Sequence, residues 1–237
     1  SWMNSWAQTN GVDPERVTVV NDTRIENVAD AVADLALYFR SQLIHNEPIL
    51  LVIDSVAAMD CADNIDSKMT DAKAEMGGRA KALYKYFRIR SELFYRLGVT
   101  QIYINQLRTA LNVGFGKDNT TTTGGAALKF YASIRAAFYS GRSITVKQKG
   151  KERKAGKLVT VRLIKNKVAP PRPTISKCPV YFNPKFHEVG FDRCFGLEDV
   201  LVENEIIVKS SGGVYKLKDK TLARGEEKFQ KLLEEDD

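Results

Sequence analysis

Three short stretches of the chain carry side chains placed to do chemistry. Ile49-Leu-Leu-Val-Ile53 is an unbroken apolar run that ends in Asp54 and Ser55. A carboxylate at the carboxyl end of a buried strand has the form of a Walker B strand and can reach a nucleotide-bound Mg²⁺, directly or through water. The same aspartate also suits an ordinary turn or cap. A second expected strand, Val99–Ile104, leads into Asn105-Gln106-Leu107-Arg108. Side-chain amides beyond a strand's carboxyl end lie where α/β sheets bind ligands, although the same groups also cap surface loops. Lys165 and Lys167 flank Asn166. On a strand their ammonium groups share one face, turned either to an anion or to solvent.

Elements able to position these groups follow from periodicity. Thr23-Arg-Ile-Glu26 reads as a capping box. Behind it Ile25, Val28, Ala29, Val32, Leu35, Ala36, Phe39 and Leu43 recur at helical spacing, predicting an amphipathic helix to about residue 44. Pro48 breaks the chain before the first apolar run, which suits a strand covered on both faces of a parallel sheet. Residues 55–70 read as a loop. A long helix over 71–97 is expected to turn Ala80, Leu83, Phe87, Phe94 and Leu97 inward and to stop at Gly98. Strand, helix, strand in this order predicts an α/β sheet with right-handed crossovers.

Residues 107–123 show little periodicity and contain Gly114, Gly116 and four consecutive threonines. A helix is expected over 126–133 and strands over 134–139 and 158–164, flanking a basic hairpin. Residues from about 190 form a smaller segment that ends in a helix from Gly225.

Charge is distributed unevenly over the 237 residues, whose formal net charge is +7. Residues 1–60 carry nine acids and three bases, residues 141–177 twelve bases and one acid, and the last twelve residues six acids and two bases. A basic centre attracts polyanions, because neutralised phosphates release condensed counterions. It equally describes a solvated hairpin. Three distant cysteines, Cys61, Cys178 and Cys194, fit neither a disulfide framework nor a CxxC metal site and suit a reducing compartment. His45 and His187 are too few and too separated for a histidine-based metal site. No apolar stretch approaches the roughly 18 residues of a membrane span.

Taken together, the motifs closely resemble the RecA family of DNA recombinases. The resemblance rests on Leu50-Leu-Val-Ile-Asp-Ser-Val-Ala-Ala58, Ile104-Asn-Gln-Leu-Arg108, Val113-Gly-Phe-Gly116, Thr121-Thr-Thr-Gly-Gly-Ala-Ala-Leu-Lys-Phe-Tyr-Ala-Ser133 and Lys165-Asn-Lys167 before Ala169-Pro170. It implies an α/β fold: a RecA-like ATPase core with a mostly parallel twisted sheet flanked by helices, over 1–189, and a small α+β domain over 190–237. Asp54 would be the Walker B carboxylate, holding Mg²⁺ through ATP with Ser55 beside it, and Gln106 would sense the γ-phosphate. Residues 107–123 would be the second DNA-binding loop, with Leu111 wedged between stacked bases, Phe115 within the loop, and Arg108, Gly124 and Gly125 near phosphates. Residues 64–71 would be the first such loop, and Arg88 would touch the DNA backbone. Lys165 and Lys167 would reach the ATP of a neighbouring protomer, and Arg162 with the basic hairpin would belong to a secondary site for double-stranded DNA. The implied whole is a cytoplasmic recombination and repair protein. It would form a homo-oligomeric filament on single-stranded DNA with ATP and Mg²⁺, then pair that strand with a homologous duplex.

The sequence departs from the family in one chemical respect. Its three Gly-Lys pairs, at Gly116, Gly150 and Gly156, are followed by Asp118, Glu152 and Leu158, so none completes the phosphate-cradling GxxxxGK[ST] loop. The family's place for that loop would precede Ser1, so the chain reads as the carboxyl-terminal two-thirds of a recombinase, with no ATP turnover expected of it alone. A fourth threonine makes the 107–123 loop one residue longer than the family pattern. Two alternatives stand beside the recombinase: a catalytically silent DNA-binding or filament-regulating module, and a RecA-fold helicase motor, against which the Thr-Gly-Gly-Ala-Ala-Leu-Lys-Phe-Tyr run argues. The acidic end, Glu234-Glu-Asp-Asp237, is either a competitor of DNA for basic surface or a solvated helix end.

Overall fold

The first helical pattern is realised as α1, Ile25–Gln42, in the computed structural model of the chain. The structure describes residues 12–42, 47–67, 77–109, 120–170 and 175–235. Ile25, Val28, Ala29, Val32 and Ala36 are buried as the periodicity requires. The capping box does not form. A parallel bridge joins Arg24 to Asp60, the Ile25 N–H donates to the Asp60 carbonyl, and the Glu26 carboxylate accepts the N–H of Ala62 at 3.0 Å. A donor distant in sequence thus takes the carboxylate that the local motif reserved for Thr23.

Two compact units divide the chain, Ser1–Ala132 and Ser133–Asp237. In the first, β1 (Ile49–Asp54) leads through the short α2 (Ala62–Asp66) and α3 (Gly78–Arg96) to β2 (Val99–Ile104). The two strands pair in parallel, with Ile49 opposite Val99 and Asp54 opposite Ile104. Helix α3 ends where expected: Gly98 takes φ +64°, and the Arg40 guanidinium donates to the Leu97 carbonyl at 2.9 and 2.6 Å, capping the helix's negative end.

Leu83, Tyr86, Phe87 and Phe94 of α3 pack with α1 and with Ile53 and Val99. Tyr86 is the inward residue that spacing alone missed. Its hydroxyl meets that of Tyr103 at 2.9 Å, Tyr103 donates to Gln101, and burial pushes the Tyr86 hydroxyl up to about 12. Among the described residues of this unit, coverage of the strands on both faces is not found. Both helices pack on the face of Ile49, Leu51, Ile53 and Tyr103, while Leu50 and Val52 remain 58% and 49% exposed.

The supposedly aperiodic stretch after β2 contains paired backbone at both ends. β3 (Leu107–Thr109) runs antiparallel to β4 (Thr120–Thr122), with Arg108 opposite Thr121. α4, Ala127–Tyr131, follows and is shorter than the 126–133 pattern suggested.

The second unit is mainly antiparallel. β5 (Ile134–Gln148) and β6 (Lys151–Asn166) form a long hairpin, continued by β7 (Ile175–Tyr181) and β8 (Gly190–Phe191). Both hairpin strands run well past the expected ends, because Lys149 and Gly150 close them with φ of +50° and +75°, a left-handed pair matched to strand twist. The expected domain start at 190 falls on β8, which pairs with β7.

Beyond it, α5 (Leu197–Glu203) and α6 (Glu226–Glu235) accompany the antiparallel sheet β9 (Val208–Lys209), β10 (Val214–Leu217) and β11 (Lys220–Arg224). Tyr215, fully buried, stacks on Phe229 at 4.1 Å and donates to Glu198 at 2.9 Å. Among the described residues the parallel strand pairing is β1 with β2; hairpin-length connections make the remaining pairings antiparallel. No helix among them is long and apolar enough to cross a membrane.

Candidate nucleotide and nucleic-acid interface

Parallel register brings the first two chemical stretches to one edge. Asp54 stands opposite Ile104, so its exposed carboxylate and the Asn105-Gln106 amides lie at the carboxyl ends of adjacent strands. The Asp54–Ser55 peptide is cis. Asn105 is committed to the backbone: its Nδ2 donates to the Thr123 carbonyl at 2.8 Å, and its Oδ1 accepts the Gln106 N–H at 2.9 Å. It ties the end of β2 to the end of β4. Gln106, by contrast, is exposed. A single carboxylate with neighbouring amides fits the rim of a Mg²⁺–nucleotide, in which most ligands to the metal are phosphate oxygens and water. Among the described residues no group of three or more metal-ligating side chains occurs.

Arg108 is exposed on β3. Leu111 and Phe115 lie outside the described residues, as do 68–71 of the first expected loop. Of that loop, Asn64 donates to Asp60 at 2.9 Å and the Ser67 hydroxyl donates to the Asn64 carbonyl at 2.8 Å.

Gly124 and Gly125 serve packing where the loop leaves β4. Gly124 has φ +92° and a Cβ there would lie 2.6 Å from Leu83 Cδ1; Gly125 has φ +70° and its Cβ would lie 2.9 Å from Ala80 Cβ. The loop's exit is therefore seated on α3. The Thr123 hydroxyl beside it is buried without a hydrogen-bond partner among the described residues.

Arg88 lies on the exposed side of α3, where a shallow recess is lined by Ala80, Lys81, Tyr84, Lys85 and Arg88. Three cations and an aromatic ring recur at helical spacing. That spacing is legible in the sequence, where the family resemblance implies a role for Arg88. Tyr84 is 50% exposed and meets Tyr131 edge-on at 6.0 Å.

In the second unit Arg162 is exposed on β6 opposite Ala137. Lys165 stands opposite Arg135, and the Lys167 N–H donates to the Ser133 carbonyl at 3.0 Å. Burial, together with the charges of Lys167 and Arg135, lowers the Lys165 ammonium below its ordinary value. Asn166 turns the chain here, accepting the N–H groups of Val168 and Ala169 at 3.1 and 3.3 Å. Arg135 thus completes a three-cation cluster that only strand register reveals.

The chain matches the RecA N-terminal domain family over residues 4–183. It is 37% identical over 199 residues to Protein RecA of Bacteroides thetaiotaomicron, covering 80% of this chain and 54% of that protein. With Protein RecA of Helicobacter pylori the identity is 34% over 240 residues, covering 98% and 61%; with that of a Picosynechococcus species it is 34% over 226 residues, covering 95% and 59%. The chain spans little more than half the length of these relatives. With a family match across most of its residues, the chain belongs to the RecA family.

Proposed function

We propose that the chain acts in homologous recombination and DNA repair, as part of an ATP- and Mg²⁺-dependent filament on single-stranded DNA that pairs this strand with a homologous duplex. One observation carries the reading: the first unit joins a strand-end carboxylate, an exposed amide, a loop stem and a basic helix stripe in one body. Bound ATP with Mg²⁺ supplies a terminal phosphate whose presence can be read. Asp54 and Ser55 face the metal side of that nucleotide, and Gln106 offers its amide to the phosphate. Because Gln106 immediately precedes β3 and Asn105 holds Thr123, movement at the amide passes into the loop stem.

Single-stranded DNA runs along α3 and the adjoining loop. Lys81, Lys85 and Arg88 take phosphates and Tyr84 offers a ring face to a base, the combination that suits sequence-blind binding. Leu111, Phe115, Arg108, Gly124 and Gly125 border the same strand. Lys165 and Lys167, with Arg135, approach the ATP of a neighbouring protomer and so couple nucleotide binding to assembly. Arg162 and the basic hairpin form the duplex site.

Fluorescence anisotropy with a labelled single strand tests the reading. The Lys85→Ala/Arg88→Ala double variant should bind about tenfold more weakly at moderate salt, with a salt slope shallower by about one to two units. Binding that is flat with salt, or unchanged in the variant, sinks the α3 assignment.

A further inference from the structure

The far end of the basic hairpin forms a recess lined by Gln148, Arg153, Asn183, Lys185 and Phe186. Strand register assembles half of it. Val146 pairs with Arg153 and Gln148 with Lys151, so Gln148, Lys151 and Arg153 project from one hairpin face. Lys147 and Glu152, the only acid of the basic segment, project from the other.

The turn after β7 supplies the second half and is tied to β6 by hydrogen bonds. Phe182 and Asn183 donate their N–H groups to the Ala155 carbonyl at 3.1 and 3.3 Å. Asn183 Nδ2 donates to the Lys154 carbonyl at 3.3 Å, and its Oδ1 accepts the Lys185 N–H at 3.2 Å. The Tyr181 and His187 rings stack at 3.8 Å, fixing the far side of the turn.

Two cations therefore line one recess. Among the described residues neither Arg153 nor Lys185 has a carboxylate partner, and Glu188, three residues beyond Lys185 in the chain, is engaged by Arg193 at 2.7 Å. Holding like charges together is unfavourable until an anion joins them. Arg153 offers a planar fork, Lys185 a point charge and Gln148 an amide donor, which together match one phosphate. Lys151 follows on the same face roughly 7 Å along the strand, the reach of an adjacent phosphate. Phe186, the only aromatic ring in the lining, is half-buried, so the recess offers charge rather than a stacking platform. That favours a duplex, whose bases stay stacked inside, over a single strand.

We propose that Arg153, Lys185 and Gln148 form a phosphate-binding site for the backbone of double-stranded DNA. The inference rests on the reading that the basic hairpin contacts duplex.

The test is a salt series of fluorescence anisotropy on the full chain with a labelled duplex, repeated with a single strand. The Arg153→Ala/Lys185→Ala variant should weaken duplex binding about tenfold and make its salt slope shallower by about one unit. Single-strand binding should stay within about twofold, and so should duplex binding by Lys216→Ala/Lys220→Ala, which removes equal charge from exposed positions elsewhere. Circular dichroism melts coincident with the parent chain establish that the variants fold. If the parent chain binds no duplex, the hairpin reading fails and this site with it. If the parent binds duplex and the recess variant binds equally well, or no worse than the Lys216/Lys220 control, the site alone is overturned. Selective loss of single-strand binding likewise overturns the duplex assignment.

Discussion

Gly124→Ala tests how the loop that follows Gln106 is seated. Gly124 has φ +92°, and a methyl group there would lie 2.6 Å from Leu83 Cδ1, a side chain that is 1% exposed. An L-residue forced into the left-handed region costs about 1–2 kcal/mol. Displacing a packed leucine from its rotamer adds roughly 0.5–1.5 kcal/mol. The variant should therefore lose about 2–3 kcal/mol in urea unfolding followed by far-ultraviolet circular dichroism. Leu83→Ala should cost about 2–5 kcal/mol, since it empties part of a packed core. In the double variant the collision disappears while the backbone strain stays, so its loss should fall short of the sum by about 1 kcal/mol. Additivity within about 0.5 kcal/mol, or a neutral Gly124→Ala, refutes the packing account.

Further outcomes follow from charge. For Asp60, burial pushes the carboxyl up, but hydrogen bonds from Arg79, Asn64 and the Cys61 N–H outweigh it and hold the group below its usual 3.8. Its folded value is depressed, so its contribution is present above the usual carboxylate range and is lost as pH falls through the folded value. Urea midpoints of the parent should accordingly drop more steeply below about pH 4 than those of Asp60→Asn; parallel curves would refute this. Arg135→Ala removes a cation that depresses Lys165, so the Lys165 ammonium should titrate higher when followed by nuclear magnetic resonance. An unmoved titration would mean that the three cations do not interact.

Helices and chemical stretches were legible because local physics governs them. The 3.6-residue recurrence through Val28, Val32 and Ala36 needs only a buried stripe, and Gly98 stops α3 because its φ is positive. The segments before Asp54 and Asn105 likewise announced two strands. Where distant backbone intervened, local signals misled. Thr23 and Glu26 had the spacing of a capping box, yet Glu26 receives the N–H of Ala62. The run 49–53 had the composition of a strand covered twice, yet Leu50 and Val52 are exposed among the described residues. Spacing likewise did not announce that the missing Cβ atoms of glycines 124 and 125 make room for Leu83 and Ala80.

The sequence by itself determined the family, the order of elements, and the sign and position of the charge, since these depend on residue identity and short spacing. Tertiary structure alone decided which charges meet. Arg135 stands opposite Lys165 across a strand pair, and Arg153 shares a recess with Lys185 because a turn after β7 folds back on β6. Electrostatic energy depends on distance in space, and for residues this far apart in sequence only the folded backbone sets that distance.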